Sequence, residues 1–136
     1  PAKDDVRFQG RGFPWRSIAM TGLTTHVLDT ANGCPAASMD VALYRIGADG
    51  PVLLKSLTLN HDGRADGALL VDESFAVSRY RLVFQVAAYF RARGAQLPEP
   101  PFLDEVPIDF GIADVTAHYH VPLLVSPWSC ATYRGS

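Results

Sequence analysis

Along most of this chain apolar and polar residues alternate with a period of two, the spacing of side chains on a half-buried β-strand. The clearest case is residues 80–86, where Tyr80, Leu82, Phe84 and Val86 share one face while Arg81 and Gln85, with Arg79, share the other. Near the start, Leu23, Thr25 and Val27 alternate with Thr24, His26 and Leu28, so His26 is expected to face away from Val27. Residues 39–46 and 52–59 read as two further strands, parted by a Gly- and Pro-containing turn at 47–51. Asn32-Gly33 and Asp62-Gly63 mark tight turns. Residues 69–71 form a short run suited to a sheet edge, and 106–112 another strand. The one helical stretch is 87–93, with Gly94 placed to cap it, and Pro98, Pro100 and Pro101 leave a loop up to Phe102. The last stretch, 118–136, opens as a strand. Tyr119, Val121, Leu123 and Val125 have one parity, and His118, His120, Pro122 and Leu124 the other. If the first set lines a core, both histidines point away from it.

Strands at short intervals with one brief helix predict an all-β sandwich of two packed sheets, the helix at one edge. Proline cannot donate to a sheet ladder, so Pro122 predicts an edge or a bulge for its strand. An open strand face bearing His118, His120 and Leu124 is then understandable as a surface that another subunit covers.

Composition narrows the class. The 136 residues are 48% hydrophobic and 19% charged, enough for one domain with a substantial core. A net charge of −2 argues against a nucleic-acid partner, which wants clustered positive charge. No apolar run approaches the roughly 18 residues of a membrane-spanning helix. Residues 1–19 differ from the rest: Lys3, Arg7, Arg11 and Arg16 against Asp4 and Asp5 give +2, without periodicity or an apolar signal core. They read as a leader outside a domain that occupies 20–136; the alternative is an arm tied to a partner subunit by Phe8, Phe13 and Trp15. Cys34 and Cys130 make neither a metal motif nor a disulfide framework, and Cys130 is expected to be a small buried hydrophobe. A reducing compartment, the cytoplasm, is expected, with a periplasmic mature form as the alternative.

The candidate chemistry lies on strands. His26, His118 and His120 fall on outward faces, and histidine is the side chain best suited to exchange protons near neutral pH. The His-x-His of 118 and 120 also has metal-ligand spacing, and His26 could complete a three-His zinc site, but no carboxylate or thiol is placed to strengthen it; no metal is expected, with a zinc-dependent hydrolase as the alternative. His61, beside Asp62, reads as solvated turn polarity. Arg64 follows Asp-Gly and could clamp a carbonyl or an anionic heterocycle with its forked guanidinium. No Gly-x-Ser-x-Gly elbow is present, so an enzyme of this sequence would use histidine-activated water in preference to a covalent nucleophile.

Three segments, LTTHVLDTANGCPA at 23–36, NHDGRAD at 60–66 and HYHVPLLVSPWSCATYRGS at 118–136, together resemble the transthyretin-like 5-hydroxyisourate hydrolase family. The terminal Tyr-Arg-Gly-Ser is the most specific part, because it separates the hydrolases from transthyretin, the hormone carrier on the same fold. The resemblance implies a transthyretin-like β-sandwich assembled as a homotetramer, a dimer of dimers, with sites in a channel between dimers. It implies hydrolytic opening of the six-membered ring of 5-hydroxyisourate in urate breakdown, with no cofactor. Carried over residue by residue, His26, Arg64 and His120 would be catalytic, and Tyr133, Arg134, Gly135 and Ser136 would close the substrate pocket. His120, with His26, would position and deprotonate water while Arg64 and Arg134 hold substrate oxygens; His118 is the alternate within the pair. Cys130 and Ala131 depart from the Tyr-Ser that the family usually carries there. The rival class is a carrier of the same fold, whose channel the polar His26, Arg64 and His120 would suit poorly.

Overall fold

Among the described residues the period-two segments pair into two four-stranded sheets. In chain order the elements are β1 (Gly22–Asp29), β2 (Cys34–Pro35), β3 (Asp40–Gly47), β4 (Gly50–Thr58), β5 (Ser78–Gln85), the helix α1 (Val86–Ala92), β6 (Glu105–Ile112), β7 (His118–Val125) and β8 (Cys130–Thr132). One sheet runs β2-β1-β7-β8 and the other β4-β3-β5-β6. The computed structural model describes residues 21–135; the leader expected at 1–19, its junction at Met20, and the terminal Ser136 lie outside the described residues.

The parity read along each strand decides what the sheets bury. Tyr80, Leu82 and Phe84 of β5, Val41 and Leu43 of β3, and Tyr119, Val121, Leu123 and Val125 of β7 all lie in the core. Leu82, Phe84 and Leu123 are wholly excluded from solvent, each a contribution of about 1.5–3 kcal/mol from burial. α1 packs Val86, Ala87, Tyr89 and Phe90 inward, and Gly94 just beyond it adopts φ +94°, the left-handed cap conformation that favours glycine. A buried carboxylate ties this helix to the first sheet. Asp29, at the end of β1, accepts from Tyr89 Oη at 2.8 Å and from the main chain and side chain of Asn32 at 2.9 and 2.7 Å. Burial alone would raise its pKa, but the hydrogen bonds from Asn32 and Tyr89 outweigh that and hold it below the ordinary carboxylate value.

Three expectations are corrected. The strand holding Pro122 is interior, not an edge: β7 lies between β1, which it pairs in parallel, and β8. Proline is tolerated because β8 begins pairing only at Leu123. The Pro122 carbonyl meanwhile accepts from Thr132 Oγ1 at 2.6 Å, so its missing N–H faces the side where the ladder has ended. Residues 69–71 form a single bridge, Leu23 to Leu70, rather than a strand. Cys130 is exposed, because all three residues of the short outer strand β8 are.

Candidate active site

The parallel pairing of β1 and β7 creates the site. Its register sets Gly22 opposite His118, Thr24 opposite His120 and His26 opposite Pro122. Residues two apart share a face, so Thr24, His26, His118 and His120 stand together on the outer side of the sheet. Two strands whose sequences lie 94 residues apart thus assemble one polar surface.

Arg64 is brought to this surface by its turn. The Asn60 side-chain oxygen accepts from the main-chain N–H groups of Asp62 and Arg64 at 2.9 and 3.1 Å, and Gly63 donates to Asn60 O at 2.9 Å. Gly63 has φ +71°, and a Cβ there would lie 2.5 Å from the Val27 carbonyl, so only glycine lets the turn press this closely on β1. Val27 N–H donates to Gly63 O at 2.9 Å, and the resulting bridge sets Arg64 directly beside His26. Among the described residues the Arg64 guanidinium has no hydrogen-bond or ion-pair partner, and it lines, with Thr24 and Asp66, an open groove of about 590 Å³.

The chain terminus completes the arrangement from the other side. Gly135 N–H donates to His120 O at 2.7 Å, and His120 N–H to Gly135 O at 3.4 Å. A Cβ on Gly135 would lie 2.8 Å from His120 Cδ2, so the imidazole edge rests against this glycine. Arg134, one residue back, takes the opposite face: its guanidinium stacks 4.3 Å over the Tyr119 ring and donates to His118 O at 3.0 Å. The structure therefore gathers His26, Arg64, His120 and Gly135, while Arg134 braces the strand beneath them and Tyr133 is exposed. Ser136 lies outside the described residues.

Burial and the Arg64 charge disfavour the protonated forms of His26 and His120. Partial burial, then the nearby Arg64 charge, lower the pKa of His26; burial, Arg64, His118 and His26 lower that of His120. Neutral imidazole is the form that can take a proton. Thr24, which sequence reasoning passed over, bridges the pair: its Oγ1 lies 2.8 Å from His120 Nδ1 and 3.1 Å from His118 Nε2. Threonine is so common on strands that nothing in the chain marks this one; only the register with β7 does. Among the described residues no three His, Cys, Asp or Glu side chains converge as metal ligands. His61 Nε2 lies 3.5 Å from Asp62 Oδ2 on an exposed turn.

The HIUase/Transthyretin family model matches residues 23–135. The chain belongs to this family. A 5-hydroxyisourate hydrolase of Pseudomonas aeruginosa is 53% identical over 121 residues, 89% of this chain and 96% of that protein. The structure of Klebsiella pneumoniae 5-hydroxyisourate hydrolase superposes with a TM-score of 0.71 at 32% identity, covering 86% of this chain and all of that one. Sea bream transthyretin in complex with thyroxine shares the fold with a TM-score of 0.74 but only 26% identity, over 83% of this chain and 93% of that one. The transthyretin-like sandwich expected from the sequence is thus the observed one. Within the family, this chain's sequence is nearer to the bacterial hydrolase than to the thyroxine-binding protein.

Proposed function

We propose that this protein is a hydroxyisourate hydrolase that opens the ring of 5-hydroxyisourate, in urate breakdown, with a water activated by His26 and His120. The activity accords with about half identity to hydrolases over nearly the whole chain. The mechanism is supported by one observation above the others: two imidazoles on neighbouring strands, each with its pKa lowered by burial and by Arg64, beside a guanidinium that has no hydrogen-bond or ion-pair partner among the described residues. Water held between the rings gives its proton to an imidazole as it attacks the ring carbonyl, which becomes tetrahedral. Positioned general-base help of this kind contributes about 10²–10⁴-fold. Arg64 faces the oxygen on which negative charge develops, and a preorganised cation there lowers the barrier further. Collapse breaks the ring C–N bond, and the proton returns to the leaving nitrogen to give 2-oxo-4-hydroxy-4-carboxy-5-ureidoimidazoline.

The site is read as one wall of a channel between subunits of a homotetramer. The outer face of β1 and β7 supports this, since half-buried histidines lie there beside Leu28 and Leu124, with no further layer of this chain over them among the described residues. Freshly generated 5-hydroxyisourate, followed by absorbance, should decay faster with the protein than in buffer. His120→Ala should remove about 10²–10⁴-fold of that gain. No acceleration by the parent protein, or an unchanged rate in the variant, refutes the proposal.

A further inference from the structure

The His120 ring is held along two edges. Its Nδ1 edge meets Thr24 Oγ1 at 2.8 Å and its Cδ2 edge rests on Gly135, while the His118 ring lies nearly parallel, its centroid 6.5 Å away. Of its polar atoms, only Nε2 is left for the reaction. Whether Nε2 can act as a base depends on which nitrogen carries the proton of the neutral ring, and that is set by the bond the other nitrogen makes.

In the hydrolase reading the tautomer follows from the role. For Nε2 to act as a base the neutral ring must carry its proton on Nδ1, and the one hydrogen-bond partner Nδ1 meets among the described residues is Thr24 Oγ1. The edge of His120 that faces Thr24 then carries N–H and the threonine oxygen accepts it. His118 shares the same hydroxyl through Nε2, while its own Nδ1 is buried and meets no hydrogen-bond partner among the described residues. A buried N–H without an acceptor is rarer than a bare lone pair, so His118 keeps its proton on Nε2 and donates it to Thr24. A threonine oxygen has two lone pairs and one proton. Both rings fill the lone pairs, and the hydroxyl proton is left to the groove that Thr24 lines with Arg64.

We propose that Thr24 is a positioning residue that holds His120 in the Nδ1–H tautomer, so that its Nε2 presents the lone pair that takes the proton of the attacking water. This rests on the hydrolase reading and divides the labour within it: His120 is the base, and His26 orients the water beside Arg64. Thr24→Val keeps the branched shape and removes the hydroxyl; Thr24→Ser keeps the hydroxyl.

Nitrogen-15 NMR of the imidazoles reads the tautomer directly, without substrate. The parent protein should show His120 protonated on Nδ1, and Thr24→Val should show a mixture of the two tautomers. In the absorbance assay, Thr24→Val should lose about 10²-fold in kcat, the low end of what general-base catalysis contributes, with KM unchanged. Thr24→Ser should stay near the parent in both measurements. An Nε2–H tautomer in the parent overturns the proposal, as does a Thr24→Val protein with parental kcat. A Thr24→Ser protein as impaired as Thr24→Val overturns it too, because packing would then be the cause. Should the parent fail to turn over 5-hydroxyisourate, the hydrolase reading falls, and the NMR comparison still decides what Thr24 does to His120.

Discussion

Replacing Gly135 by alanine adds one methyl group where the structure has no room for it. The new Cβ would lie 2.8 Å from His120 Cδ2, 3.2 Å from its Cβ and 3.3 Å from its Cγ. Carbon atoms in comfortable contact are about 3.5–4.0 Å apart, so from 2.8 Å the ring edge must retreat by about 0.7–1.2 Å. It cannot do so freely, because Thr24 holds Nδ1 at 2.8 Å on the far edge. A displacement of about 1 Å in a catalytic group costs on the order of 10²-fold in rate, equivalent to about 2.7 kcal/mol of transition-state stabilisation. Folding should barely change. Gly135 does not use the left-handed backbone region, is half-buried, and joins β7 through a single bridge, so a stability change within about 0.5 kcal/mol is expected. The assay pairs kcat/KM for 5-hydroxyisourate with a urea unfolding curve on the same preparation. Parental activity in Gly135→Ala would refute the claim that this glycine seats His120. So would a loss of activity that merely tracks loss of the fold.

The acid limb of the pH–rate profile should lie below 6.5, the ordinary histidine value, because burial and Arg64 lower the pKa of His26 and His120. Arg64→Gln removes the cation but not the burial, so the limb should move up towards 6.5 as well as losing rate; a parental limb above 6.5, or a downward move, contradicts this. The same shifts bear on stability: both histidines bind protons more weakly folded than unfolded, so their contribution is full above about 6.5 and lost as pH falls through the lowered values. Tyr89→Phe should destabilise the fold by about 1.5–3 kcal/mol, since Asp29, fully buried, would lose one of its donors; a urea midpoint unchanged from the parent would remove Asp29 as the link between α1 and β1.

Much of the sandwich was legible because a half-buried strand has no choice of face. Tyr80, Leu82 and Phe84 could be placed in the core from parity alone, as could Tyr119, Val121, Leu123 and Val125. The same parity put His26 and His120 outside, and the motifs around Asp62-Gly63 and Tyr133-Arg134 pointed to Arg64 and to the terminus. These readings succeed because they depend on local periodicity and turn chemistry, which neighbours in sequence determine.

Where the reading fell short, the missing quantity was a pairing between distant segments. Pro122 looked like an edge residue because a sequence cannot show that the partner strand stops at Leu123. Cys130 looked buried because its composition says nothing about the width of a sheet. Arg134 and Gly135 are adjacent in the chain, yet one stacks on Tyr119 beneath the strand while the other seats His120 above it. Thr24 acquires its place only when β1 and β7 pair in parallel, in one particular register. By itself the sequence determined which faces are buried and which residue types could do chemistry. The tertiary structure decided which of them meet, because a shift of one residue between those strands would turn Thr24 to the other face from His120.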